Sequence, residues 1–155
     1  MSQFSDVSFD GLYGAAIMDH FRNPRHRAPL PDADVESHEF NPFCGDEVTL
    51  RIKLGADDRV ALVSSQSQGC SIIQASASMM AEGMAGKTAG ELEELAGLFR
   101  ELMQGKILTP TAQQQLRDSA ALQVVRQYPV RIKCALLPWT ALEEGLTQLH
   151  RRQRE

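Results

Sequence analysis

Hydrophobic and polar residues change their spacing twice along the chain, and each change marks a different kind of element. Leu12, Ala15, Ala16, Met18 and Phe21 form an apolar stripe at helical spacing, which predicts a helix over Gly11–Arg22 stopped by Asn23-Pro24. Residues 1–10 ahead of it read as a loose tail, and the polar, proline-rich stretch 25–34 as a loop. Val48, Leu50, Ile52 and Leu54 then alternate with Thr49, Arg51 and Lys53, the period of a half-buried strand. A turn at Gly55-Ala56-Asp57-Asp58 leads into a second strand that starts at Val60 and runs toward Gln68. A further strand is predicted over 37–43, just ahead of Cys44. Three short strands in succession favour an antiparallel meander.

From Ser71 the spacing becomes helical again. Ile72, Ile73, Ala75, Ala77, Met79, Met80 and Met84 predict one helix, ended by Gly86. Thr88 and Glu91 spell a capping box for the next helix, whose apolar face is Leu92, Leu95, Leu98, Phe99 and Leu102 and which closes at Gly105. Another helix is expected over 111–125. The last is expected to begin near Cys134, with Trp139, Leu142, Leu146 and Leu149 as its core stripe and Pro138 tolerated in its first turn. The basic stretch 151–155 reads as a second loose tail. The fold class is therefore α+β: one small antiparallel three-stranded sheet packed against several helices, in one domain over 1–155.

Composition narrows the function more than the fold. A chain of 155 residues is long enough to bury a core without staples, and 43% hydrophobic with 23% charged residues is the mix of a soluble globular protein. A net charge of −4 argues against a broad nucleic-acid footprint. No apolar run approaches the ~20 residues of a membrane span. Residues 1–10 lack the basic flank and apolar centre of a signal peptide, so a cytoplasmic location is expected.

The three cysteines carry the candidate chemistry. An odd, widely spaced set is not a disulfide framework. In a reducing compartment such thiols are metal ligands, nucleophiles or small buried hydrophobes. Each is expected at a joint between elements: Cys44 in the turn Asn41-Pro42-Phe43-Cys44-Gly45-Asp46, and Cys70 and Cys134 at helix starts, where exposed backbone N–H groups favour a thiolate. Cys44 and Asp46 are two apart, and the glycine between them permits a tight turn that lets both reach one ion. Thiolate and carboxylate are both common zinc donors. Three thiolates and a carboxylate around a divalent ion leave the site net negative, and Arg131 and Lys133 lie close enough in sequence to Cys134 to offset this. Taken singly, each cysteine is as well explained by burial, and Asp46 by its turn. His20, His26, His38 and His150 read as surface or packing residues, since none adjoins a cysteine, and Met79, Met80 and Met84 as core filler.

Taken together, these segments resemble a known family, the U-type iron–sulfur assembly proteins, and within it the SufU branch. The matching stretches are Leu12-Tyr13, Asp19-His20-Phe21-Arg22-Asn23-Pro24-Arg25, Asn41 to Asp46, Gly69-Cys70-Ser71-Ile72, Ala75-Ser76-Ala77-Ser78-Met79-Met80 and Arg131-Ile132-Lys133-Cys134-Ala135. The resemblance implies a compact α+β fold with the cysteines gathered at one exposed end, and a metal site of Cys44, Asp46, Cys70 and Cys134. It implies zinc or, alternatively, an iron–sulfur cluster in that site. It implies as partners a pyridoxal-phosphate cysteine desulfurase of the SufS type and downstream assembly components, with no nucleic acid and no membrane. Three departures separate this chain from the IscU-type scaffolds: Lys133 where they carry His, Tyr128-Pro129-Val130-Arg131 where they carry a chaperone-read Leu-Pro-Pro-Val-Lys stretch, and extra sequence over about 100–120. A protonated lysine is no ligand. All three favour a zinc-bound, sulfurtransferase-like sulfur acceptor, with Cys44 as the accepting thiol and Arg131 in support. The other readings are a scaffold for a [2Fe–2S] cluster, a zinc or cysteine hydrolase, which would need a base that the sequence does not present, and a purely structural zinc domain.

Overall fold

The alternating run around Val48 forms the middle of the sheet. The structure is a computed structural model that describes residues 11–42 and 45–154, the side chains of 11–13, 153 and 154 excepted. Strand β2 (Asp46–Leu54) pairs antiparallel with β1 (Val35–Asn41) on one side and with β3 (Val60–Gln68) on the other. The register runs from Val35 opposite Ile52 to Asn41 opposite Asp46, and from Val60 opposite Leu54 to Gln68 opposite Glu47, with an irregularity between Lys53 and Leu54. Strand alternation sends Asp46, Val48, Leu50 and Ile52 to the same face. All four are buried, so the apolar row of the strand ends in a carboxylate.

Two helices cover that face. Helix α5 (Pro129–Arg154) packs on β1 and β2, α2 (Ser71–Met84) packs on β3, and the two pack on each other. Buried hydroxyls pin the contacts: Ser37 Oγ donates to the carbonyl of Ala141 and Ser76 Oγ to that of Ala135, both at 2.7 Å. Gly145 lets α5 approach β1, because a Cβ there would stand 3.3 Å from Val35 Cγ1. Helix α3 (Ala89–Met103), with the expected Thr88–Glu91 capping box, lies against α5, where Phe99 stacks on Trp139 at 4.5 Å between ring centroids. Helix α1 (Gly11–Arg22) lies against α2. Met79, Met80 and Met84 are buried in the core, as core filler should be.

The structure departs from the sequence expectations in four places. β1 covers Val35–Asn41 rather than 37–43, because Gly45 N–H bonds to the Asn41 carbonyl and closes the β1–β2 connection there. The single helix expected over 111–125 is two pieces: α4 (Pro110–Leu116), capped by Thr109, and a 3-10 helix over Arg117–Gln127. Arg117 has a positive φ of 55° with ψ -133°, far from helical values, which breaks the α-helical ladder. Beyond it Ser119, Leu122 and Val125 are all fully buried, a three-residue repeat that suits a 3-10 helix. Helix α5 starts at Pro129, not near Cys134. Proline is at home in a first helical position, whose N–H has no partner in the helix. Cys134 therefore lies in the second turn and Pro138 in the interior. Pro138 has no N–H to offer the carbonyl of Cys134, four residues back. Residues 151–154, expected as a loose tail, continue α5, and Arg152 Nη1 donates to the Asp34 carbonyl at 2.8 Å. The tail expected over 1–10 lies outside the described residues, as does the side-chain match at Leu12-Tyr13. No helix among the described residues is long and apolar enough to cross a membrane.

Candidate metal centre

Three elements deliver three donors to one place. Asp46 arrives as the first residue of β2, on its buried face. Cys70 arrives from the junction of β3 and α2: after Gln68 the chain turns through Gly69, and Cys70 caps α2 with an extended backbone. Cys134 arrives from the second turn of α5 and is 1% exposed. The ligand atoms of Asp46, Cys70 and Cys134 all lie within 4.8 Å of one another. The expectation that Cys134 opens the last helix is thus corrected, yet its side chain still reaches Cys70. Cys44 lies outside the described residues, in the connection two positions before Asp46 in the chain. Arg131 is half-buried in the first turn of α5, three residues before Cys134, a spacing that puts the two on one helical face. Lys133 is exposed.

The two thiols have opposite electrostatics. Cys70 is pushed down to about 6, chiefly by the hydrogen bond from Cys134, with the backbone N–H groups of Ile73 and Ile72 helping and burial and Asp46 opposing. Cys134 is pushed up by that same hydrogen bond, by burial and by Asp46. Cys134 Sγ also lies 3.7 Å from the carbonyl of Val130, which competes with Cys70 for its single proton. The metal-free pair is thus a thiolate at Cys70 and a protonated thiol at Cys134. Asp46 is tied in through its Oδ1, which accepts the Cys70 N–H at 3.2 Å.

The donor set fits zinc. Metal–sulfur and metal–oxygen distances of roughly 2.0–2.3 Å place tetrahedral donors about 3.3–3.8 Å apart. Two thiols and a carboxylate already within 4.8 Å need only a small closing movement. A second cluster, His20, Glu82 and Asp118, does not have this character. His20 is fully buried, with Nδ1 2.8 Å from Ser78 Oγ and Nε2 2.8 Å from Asp118 Oδ2. Both ring nitrogens are engaged, and the Arg25 guanidinium already pairs with Glu82 at 3.4 Å. This cluster ties α1, α2 and the 3-10 helix together. It bears out the packing role expected of His20, although nothing in the sequence paired it with Ser78 or Asp118.

Residues 12–135 match the model of the NifU-like N-terminal domain. The chain belongs to that family. It is 41% identical over 143 residues, 92% of its length and 95% of the relative's, to the zinc-dependent sulfurtransferase SufU of Bacillus subtilis. It is 37% identical to the iron–sulfur cluster assembly scaffold protein IscU of Streptococcus pyogenes, over 87% of the chain and 82% of that relative. Among solved structures, a SufU of Fervidobacterium islandicum, crystallised as a candidate assembly scaffold of the SUF system, superposes with a TM-score of 0.77 at 34% identity, covering 84% of this chain and 93% of that one. The N-terminal part of a NifU-like protein from Brucella abortus superposes at 0.80 over 97% and 99% of the two chains, with 23% identity, and supports the fold alone. The α+β family fold expected from the sequence is the fold observed.

Proposed function

We propose that this protein acts in iron–sulfur cluster assembly as a zinc-bound sulfur acceptor, with 1–155 working as one U-type unit. The observation that carries the reading is the convergence of Asp46, Cys70 and Cys134 from three separate elements, with ligand atoms within 4.8 Å of one another. Cys44, two residues before Asp46, completes four donors. Bound zinc would keep these thiolates deprotonated and in register and shield them from oxidation. The high identity to a zinc-dependent sulfurtransferase supports the same reading.

The chain's own part in sulfur transfer follows from thiol chemistry. The partner is a cysteine desulfurase, of the pyridoxal-phosphate SufS type, that presents a persulfide. The Cys44 thiolate attacks the outer sulfur of that persulfide. One S–S bond forms on Cys44, the S–S bond on the desulfurase breaks, and its electron pair stays on the desulfurase cysteine as a thiolate. Cys70 and Cys134, held by α2 and α5, keep their places through the exchange. Arg131, on the Cys134 face of α5, supplies positive charge to the remaining anionic donors.

The second reading is a scaffold for a [2Fe–2S] cluster, favoured by the identity to an IscU scaffold. Against it stands Lys133, exposed and cationic at the position that the scaffolds fill with a histidine ligand. The test is desulfurase turnover with and without the protein, paired with metal analysis. Zinc at about one per chain and faster turnover support the acceptor. A zinc-free protein that leaves turnover unchanged and holds a stable cluster after anaerobic reconstitution supports the scaffold.

A further inference from the structure

Asp46 meets the backbone at one unusual point. Gly69 has φ +134°, a conformation that L side chains rarely adopt, and a Cβ there would stand 2.0 Å from Asp46 Oδ1 and 2.8 Å from its Cγ. No real pair of atoms tolerates such distances, so the carboxylate occupies the space that any side chain at position 69 would fill. The seat holds the carboxylate from two sides. The bare Cα of Gly69 lies beneath it, and the next backbone N–H, that of Cys70, donates to Oδ1 at 3.2 Å. Asp46 itself is 2% exposed, so its carboxylate has little room to move elsewhere. The pairing of Glu47 with Gln68 fixes the height of this seat, since it locks the strand residues that flank Asp46 and Gly69.

We infer that Gly69 is a positioning residue for the metal centre: its missing side chain is the seat that aims the Asp46 carboxylate at the Cys70 and Cys134 sulfurs. The inference rests on the zinc reading of the site. It assigns Gly69 a role toward one ligand rather than a general role in turning the chain. A side chain at 69 expels the carboxylate, leaves the sulfurs in place and opens one coordination position. Gly69→Ala should therefore reproduce Asp46→Ala at the metal.

A double-mutant cycle on zinc affinity tests this, with Gly69→Ala, Asp46→Ala, their combination and wild type titrated against a competing chelator. Gly69→Ala should weaken zinc about 10–100-fold, the range for losing a residue that orients a ligand. In the Asp46→Ala background it should cost less than about threefold, because nothing remains to be displaced. The cobalt-substituted Gly69→Ala protein should show the absorption bands of cobalt-substituted Asp46→Ala. Backbone strain at φ +134° and the 3.1 Å approach to Asp46 Cα persist in both backgrounds, so they appear in the melting of the metal-free proteins and cancel from the cycle. Equal weakening by Gly69→Ala in both backgrounds, or none in either, overturns the inference and leaves the zinc reading intact. A wild-type protein that binds no zinc overturns both. Should Gly69→Ala fail to fold, Asp46→Glu answers the same question from the other side. It keeps a carboxylate but is one methylene too long for the seat, and about tenfold weaker zinc binding is expected. Wild-type affinity and a wild-type cobalt spectrum in Asp46→Glu overturn the inference.

Discussion

Cys70 and Cys134 face each other across one site, yet the backbone treats them differently. Cys70 caps α2 and is only partly buried, with the N–H groups of Ile72 and Ile73 pointing at its sulfur, and it loses its proton easily. Cys134 lies a turn and a half into α5 and is buried, and its hydrogen bond to Cys70, its burial and Asp46 all hold its proton on. Identical side chains acquire opposite character chiefly from the one hydrogen bond between them, and the first N–H groups of α2 add to the anionic side of it at Cys70. The consequence for metal binding is a division of labour. Cys70 is ready as a thiolate before a metal arrives, whereas Cys134 must release a proton as one binds.

The largest expected effect tests whether both sulfurs belong to one site. Cys70→Ser and Cys134→Ser should each weaken zinc by more than about 100-fold, beyond the ~10–100-fold typical of losing a group that merely orients a ligand. Chelator competition measures this. A variant that retains wild-type affinity would remove its residue from the donor set.

The contrast in protonation comes next. In the metal-free protein Cys70 should alkylate with a pH midpoint near 6, rising as pH rises because the thiolate is the nucleophile. Cys134 should resist at pH 7 and 8, at least about tenfold slower. Mass mapping after iodoacetamide treatment across pH reads both, and a faster Cys134 would invert the comparison. Zinc should protect the two alike.

Asp46→Ala sharpens the contrast by removing the carboxylate that both thiols feel. It strips the partly buried Cys70 N–H of its acceptor, so the metal-free protein should lose about 1 kcal/mol, the net worth of a typical hydrogen bond. The alkylation midpoint of Cys70 should fall below that of wild type, since Asp46 holds it up. A midpoint that rises instead would contradict the assigned electrostatics.

The smallest effect concerns the link between the two helices. Ser76→Ala removes the bond to the Ala135 carbonyl, one residue past Cys134, and should cost about 1 kcal/mol, or a melting shift of roughly 2–4 °C. Zinc affinity should change less than in any variant above.

Much of this was legible in the sequence, because strand alternation and helix spacing are local properties. The row Val48, Leu50, Ile52 announced β2, and Thr88 with Glu91 announced the start of α3. The same alternation, extended two residues back, would have put Asp46 on the buried face. Other features depend on contacts between distant segments. The 3-10 helix follows from how Ser119, Leu122 and Val125 meet the core, and the apolar pattern alone suits an α-helix nearly as well. The start of α5 is ambiguous in the sequence because either Pro129 or Pro138 suits a first turn, and Pro129 is the one that fills that position. The roles of Gly69 toward Asp46 and of His20 toward Ser78 and Asp118 join residues 23, 58 and 98 positions apart, beyond any local signal.

One measurement bears most directly on the sulfur-acceptor role. The zinc-loaded protein is mixed with a cysteine desulfurase and cysteine for a single turnover, quenched, and its peptides are mapped by mass spectrometry for added sulfur. Cys44 should carry a persulfide, and Cys70 and Cys134 should not. Added sulfur on Cys70 or Cys134 alone would refute the Cys44 assignment while keeping the acceptor role, and no added sulfur on any of the three cysteines would contradict the role itself.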